Sequence, residues 1–156
     1  MNVRRRGREL ALQALFQFDV QGDPFAAELD TFLAESSDPA EVIAFARQLT
    51  EGAWEHRAEA DAILNKLTVR WSIDRMAVAD RNILRMGIYQ LLHCPDIPPR
   101  VVINEAIELG KRYSTADSSQ FINGLLDAAH KQIAGPAGST TPAPEGEEPP
   151  GENNVE

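Results

Sequence analysis

The sequence contains a single cysteine and no long apolar run. Cys94 alone cannot form an internal disulfide, and it leaves no CxxC pair for a metal or redox site. No apolar stretch approaches the roughly 18 residues of a membrane span. The basic N-terminus also lacks the uninterrupted apolar segment of a secretory signal. We therefore predict a cytoplasmic protein that folds without disulfides and has no membrane contact.

Signatures of catalysis are also missing from the sequence. It has no Gly-rich phosphate loop, nucleophile elbow or dinucleotide fingerprint. Its three histidines, His56, His93 and His130, fall on separate predicted helices without the spacing of paired metal ligands. The sequence therefore predicts no metal site, no cofactor and no enzymatic activity.

What the chain does have is an uneven distribution of charge. The formal net charge is −9, yet residues 1–18 carry four arginines against one acid. Residues 19–61 hold most of the acidic excess, and the last 22 residues add five glutamates and no base. A local basic patch can bind phosphate even when the whole protein is acidic.

Apolar residues recur at helical spacing along nearly the whole chain up to residue 134. The breaks between these stripes carry Pro, Gly, Ser or Asp, which suit helix starts and ends. Ser72 or Asp74 is expected to cap the fifth helix, and Asp117 with Gln120 resembles a capping box before the seventh. The pattern predicts an all-α fold, a compact bundle of about seven helices over residues 1–134. Residues 135–156 are rich in Pro, Gly and Glu and are predicted to be a disordered tail.

Three groups of residues are candidates for binding, and each also has a structural interpretation. The arginines at positions 4, 5, 6 and 8 suit phosphate, but they could form a solvated, frayed helix start. The turn after Lys111 offers polar side chains that could contact RNA, although the same residue types commonly cap helices. Phe121, next to this turn, could stack on a base or pack in the core. Leu12 and Phe16 lie beside the first core stripe, which suits either a partner or simple burial. Asp80 lies within an apolar stripe, so it needs a helix N-terminus, a cation such as Arg85, or an external partner.

Four phrases in order along the chain resemble the NusB family of transcription antitermination factors. They are RRRGRE with ALQALF near the start (4–9 and 11–16), DRNILRMGIYQL (80–91), IPPRVVINEAIELGKRY (97–113) and DSSQFINGLLD (117–127). Together they extend from residue 4 to about residue 133, which makes the resemblance specific. It implies a NusB-like helical fold that binds single-stranded boxA RNA together with the ribosomal protein NusE. It further implies assembly with RNA polymerase and other Nus factors, notably on ribosomal RNA operons.

The resemblance favours the binding interpretation of the candidate residues. The residues expected at RNA are Arg4, Arg5, Arg6, Arg8, Lys111, Arg112, Asp117, Ser118, Ser119, Gln120, Phe121 and Asn123. Those expected at the protein partner are Leu12, Phe16, Asp80 and Arg85. If about four phosphates are neutralised, the log–log salt slope of binding to single-stranded RNA should be near roughly −3.

Two alternatives remain open at this point. The chain could be a protein-only helical adaptor or a homodimerising scaffold that buries Leu12 and Phe16 against another copy. It could also be an RNA-binding module related to the NusB-like domain of ribosomal RNA cytosine methyltransferases. Because the sequence shows no cofactor-binding Gly-rich unit and no catalytic Cys motif, we do not expect it to be a methyltransferase by itself.

Overall fold

A computed structural model describes residues 2–68 and 72–135, and these residues form an all-α bundle with no strand among them. The described residues contain seven α-helices, with one short 3₁₀ segment between α1 and α2 and another between α4 and α5. The bounds are α1 Val3–Gln21, 3₁₀ Asp23–Glu28, α2 Leu29–Ala34, α3 Ala40–Glu55, α4 Arg57–Leu67, 3₁₀ Ile73–Arg75, α5 Val78–His93, α6 Pro99–Tyr113 and α7 Ser118–Ala134. The predicted fold class is confirmed. The predicted disordered tail lies outside the described residues, apart from Gly135.

The core lies between α1, α3, α5 and α7. The most extensive helix contacts join α1 to α3 and α6 to α7, and α5 packs against α1, α3, α4, α6 and α7. Gly87 on α5 allows the side chain of Leu126 on α7 to approach within 3.0 Å of where a Cβ would stand. The centre of α5 is correspondingly buried, and Ile83, Leu84 and Ile88 are each fully inaccessible.

Two local predictions were wrong. Ser72 does cap a helix, but that helix is the 3₁₀ segment Ile73–Arg75; α5 itself begins at Val78, after the extended backbone of Met76. Asp117 occupies the N-cap position of α7 in an α-helical backbone conformation, and its side chain makes no capping hydrogen bond. A capping box requires an extended cap residue, so the DSSQ spacing alone was insufficient.

The described helices include none that is long and apolar enough to cross a membrane.

Candidate nucleic-acid interface

The first turn of α1 presents the arginine cluster against α6. Asn2 caps α1 by accepting the backbone N–H of Arg5 at 3.0 Å, which fixes the start of the helix. Arg5 then donates through Nε and Nη2 to the two carboxylate oxygens of Glu105 on α6, at 3.1 and 2.8 Å. This hydrogen-bonded pair raises the pKa of Arg5 and lowers that of Glu105. The helix start is therefore ordered by a side-chain cap and by a contact with α6.

Glu9 connects the same two helices one turn later. It is only 8% exposed, and its two oxygens accept hydrogen bonds from Arg6 on α1 at 3.3 Å and from Arg112 on α6 at 2.8 Å. Arg6 also donates to both oxygens of Asp38, which lowers the pKa of that carboxyl group. Arg112 stays 65% exposed, so its guanidinium group remains accessible from solvent.

A groove between α1 and α6 results from these contacts. It has a cavity volume of about 220 Å³. Its lining combines three cations, three carboxylates and one apolar side chain: Arg5, Glu9, Glu105, Glu108, Leu109, Lys111 and Arg112. Outside the groove, Arg4 pairs with Asp96 at 3.5 Å, with both side chains largely exposed. The basic patch expected from residues 1–18 is thus compensated by acids that the fold brings from elsewhere.

Arg8 differs from the other arginines because it is buried. It is 3% exposed, donates through Nε to Gln90 at 3.2 Å and has its guanidinium carbon 5.5 Å from the centroid of the Phe45 ring. Its Nη2 atom has no hydrogen-bond partner in the described part of the chain. Burial lowers the pKa of this guanidinium group. Gly7 makes the close approach of Phe45 possible, because a Cβ there would lie 2.7 Å from that ring.

The candidate residues around the start of α7 divide into exposed and buried sets. Asp117, Gln120 and Asn123 are exposed and Ser119 is half-buried. Ser118 is fully buried and Phe121 is only 5% exposed within the core cluster. In this structure neither side chain is accessible to RNA. Of the two interpretations of Phe121, the structure shows core packing.

The expected partner-binding residues are mostly turned inward. Leu12 and Asp80 are fully inaccessible, Arg85 is 8% exposed and Phe16 is half-buried against the core. Arg85 pairs with Asp61 on α4 and not with Asp80: its Nε and Nη2 donate to the two Asp61 oxygens at 2.9 and 2.8 Å. The structure does not support direct contacts of Leu12 or Asp80 with a partner, since the same side chains complete the bundle.

Asp80 instead joins α5 to the connection between α6 and α7. Its oxygens accept hydrogen bonds from the Ser114 hydroxyl at 2.7 Å and the Ser118 hydroxyl at 3.1 Å. Burial raises the pKa of this carboxyl group, and the two hydroxyl donors act in the opposite direction. By holding Ser114 and Ser118, Asp80 fixes the turn that presents the exposed residues of α7. Sequence reasoning had identified the need for a partner but not these two hydroxyls.

Sequence reasoning also missed a cluster on another face of the molecule. His56 and His93 were expected on separate helices without a shared site, yet their rings lie 4.1 Å apart between centroids, beside Glu59. The only signal in the sequence is the three-residue spacing of His56 and Glu59. Nothing local places His93, 37 positions further along, next to them.

Comparison with known proteins identifies the family. The model of the NusB family matches residues 5–131. The transcription antitermination protein NusB of Myxococcus xanthus is 47% identical over 132 residues, covering 81% of this chain and 94% of its own length. Its counterpart from Symbiobacterium thermophilum is 44% identical over 144 residues, covering 87% and 94%.

Solved structures agree with the sequence comparison. NusB of T. maritima superposes with a TM-score of 0.71 at 36% identity, covering 83% of this chain and 91% of its own. A NusB from a crystal structure of antitermination factors NusB and NusE in complex with dsRNA gives a TM-score of 0.75 at 28% identity, covering 85% and 98%. With a family match across most of its length and the same helical fold, this chain belongs to the NusB family.

Proposed function

We propose that this protein is a transcription antitermination factor that binds RNA jointly with NusE and catalyses no reaction. The observation that carries the proposal is the α1–α6 groove, where Arg5, Lys111 and Arg112 are all exposed. Membership of a family whose members are named antitermination proteins supports it. So does the likeness to a NusB that was crystallised with NusE and dsRNA.

The proposed RNA surface consists of the residues that the structure leaves accessible. Arginine supplies planar donors that pair with phosphate oxygens, and each exposed arginine can exchange a carboxylate partner for a phosphate. The start of α7 adds polar side chains that can contact bases. The surface comprises Arg4, Arg5, Arg6, Lys111, Arg112, Asp117, Ser119, Gln120 and Asn123. Arg8, Ser118 and Phe121 support this surface from below.

At finer detail, we propose that the preferred ligand is a single-stranded boxA element in the leaders of ribosomal RNA operons. The complex with NusE would then join RNA polymerase and the other Nus factors in the cytoplasm. NusE enlarges the RNA-binding surface and stabilises the bound arrangement by linkage. Single-stranded RNA suits a site of this kind because unpaired bases are free for stacking and edge contacts.

The structure gives less support to the adaptor and homodimer alternatives. Among the described residues, the large hydrophobic side chains that are exposed are Val20, Val78 and Val101. They come from three different helices, and Leu12, which was to form the dimer contact, is fully buried. A stable dimer normally buries a continuous patch of about 800 Å² on each partner.

The experiment compares the binding of three RNAs: a boxA-like single strand, its scrambled sequence and a duplex of the boxA-like sequence. Each is titrated with and without NusE at two salt concentrations, using fluorescence anisotropy. We expect the boxA-like strand to bind most tightly, and NusE to increase that preference. Equal weak binding to all three RNAs in the presence of NusE would refute the proposal. A preference for the duplex would keep RNA binding and refute the single-strand assignment.

Direct involvement of the arginines is tested with Arg5→Glu in the same assay. The matched control is Arg47→Glu on α3. This substitution changes the net charge by the same amount as Arg5→Glu, and it also removes an arginine that is paired with a carboxylate. Arg5→Glu should abolish RNA binding while Arg47→Glu retains it. If both variants bind RNA as the wild type does, the α1–α6 groove is not the RNA site.

A further inference from the structure

His56, Glu59 and His93 bring three metal-ligating groups together at one point on the surface. The Nδ1 atom of His56 lies 3.2 Å from Oε1 of Glu59, and the Nε2 atom of His93 lies 2.8 Å from the same oxygen. All three ligand atoms lie within 4.8 Å of one another. We propose that these three side chains form a binding site for Zn²⁺.

The backbone holds two of the ligands in place. His56 is the residue between α3 and α4, and its N–H donates to the carbonyl of Gly52 at 2.9 Å while its own carbonyl accepts from Ala60 at 3.2 Å. Glu59 follows within the first turn of α4, so the two side chains share one face of that helix. Ordering this half of the site therefore requires only side-chain rotation.

The third ligand comes from the last turn of α5, and an ion pair fixes α5 against α4. Arg85 on α5 donates two hydrogen bonds to Asp61 on α4, at 2.9 and 2.8 Å, and its side chain is only 10% exposed. A partly buried bidentate pair of this kind restricts sliding between the helices. His93 lies eight residues beyond Arg85, so the fold rather than chance side-chain motion brings it to Glu59.

Tyr89 supports both imidazole rings. Its ring lies 5.8 Å from that of His56 at an interplanar angle of 20°, and 5.5 Å from that of His93 at 31°. Gly52 provides the space, because a Cβ at that position would overlap the end of the Tyr89 ring. The site thus has an aromatic support on one side and solvent on the other.

The donor set matches Zn²⁺ better than the harder cations. Two imidazole nitrogens and one carboxylate oxygen form a ligand set known for four-coordinate zinc, with water in the fourth position. Zn–ligand bonds of 2.0–2.2 Å place tetrahedral ligand atoms about 3.3–3.6 Å apart. The His56–Glu59 separation of 3.2 Å is close to this range, and the Glu59–His93 separation of 2.8 Å must widen when the ion enters. The side chains are 34–52% exposed, so they can rotate to adjust these separations and leave room for water. Mg²⁺ prefers oxygen ligands and should not compete.

Isothermal titration of the full-length chain with ZnCl₂ tests the proposal, in a non-chelating buffer at pH 7.5. The variants are His56→Gln and His93→Gln, and His130→Gln on α7 is the matched control because it removes a histidine outside the cluster. We expect one Zn²⁺ per wild-type chain and an affinity at least about 10-fold weaker in each cluster variant. His130→Gln should bind Zn²⁺ as tightly as the wild type does. Zn²⁺ should raise the Tm of the wild type and of His130→Gln, but not that of His56→Gln or His93→Gln.

Circular dichroism and thermal melting without metal establish that each variant is folded. This is expected because the side chains of His56 and His93 are each 34% exposed and His130 is only half-buried. Undiminished Zn²⁺ affinity in His56→Gln or His93→Gln would overturn the proposal, as would an equal loss in His130→Gln. If Zn²⁺ binding is unchanged in His56→Gln and His93→Gln, the metal binds adventitiously at other carboxylates of this acidic chain. Millimolar MgCl₂ replacing Zn²⁺ at the site would also contradict it.

Discussion

Neutralising Glu105 should improve RNA binding, although Glu105 itself lines the α1–α6 groove. Both of its oxygens accept hydrogen bonds from Arg5, and it is 16% exposed where Arg5 is 52% exposed. When RNA docks, a phosphate must take the guanidinium group away from this carboxylate. In Glu105→Gln the competing charge is gone, so the exchange becomes more favourable.

The structure also gives the size of the salt effect. Four free arginines would give a slope of roughly −3 on single-stranded RNA, about −0.7 for each phosphate neutralised. Arg8 is buried, however, and each of the five cations in the proposed surface (Arg4, Arg5, Arg6, Lys111 and Arg112) has a carboxylate partner. A carboxylate released by RNA takes up a cation, which offsets the counterion released from the phosphate. The wild-type slope should therefore be shallower than −3, and Glu105→Gln should be steeper than the wild type by about 0.7.

Fluorescence anisotropy with a boxA-like strand between 50 and 250 mM salt measures both quantities. Loss of the carboxylate that competes for the exposed Arg5 corresponds to an RNA affinity roughly 2- to 5-fold tighter at the low end of that salt range. Asp30→Asn is the control, because it removes the carboxylate that pairs with Arg47 and changes the net charge equally. If Glu105→Gln has the same slope and affinity as Asp30→Asn, Arg5 does not exchange Glu105 for a phosphate and the reasoning is refuted.

Three further predictions concern stability. Asp80→Asn tests the buried carboxyl group: because its folded pKa is raised above the unfolded value of 3.8, the wild type should be most stable relative to the variant at low pH. That advantage should shrink as pH rises through the folded pKa, and urea titrations that show a constant difference from pH 4 to 8 would contradict it. Phe121→Leu should cost about 1 kcal/mol in thermal or urea unfolding and leave RNA affinity unchanged, whereas a stacking role would reduce affinity. Gly52→Ala should destabilise the protein by about 1–3 kcal/mol, because the added methyl group overlaps the Tyr89 ring; an unchanged Tm would show that the ring relocates freely.

The arginine cluster shows which electrostatic features can be predicted from the sequence and which require the tertiary structure. The run of four arginines indicated an affinity for phosphate, and the exposed positions of Arg4 and Arg5 agree with that interpretation. The acids that compensate it, among them Asp38, Asp96 and Glu105, are between 32 and 100 positions away. Charge counted along the chain cannot reveal pairs formed across the bundle, because Coulomb interactions depend on distance in space.

By itself, the sequence determined the helices and the family. Both depend on local periodicity and on motifs that lie within single elements, such as the stripe that places Leu10, Ala14 and Phe18 on one face of α1. Only the tertiary structure decided which polar residues are accessible. Phe121, Ser118 and Arg8 share their motifs with exposed neighbours, yet packing of α7 and α1 buries them. It also brought His56 and His93 together, because the register between α3, α4 and α5 is set by long-range packing that no single segment encodes.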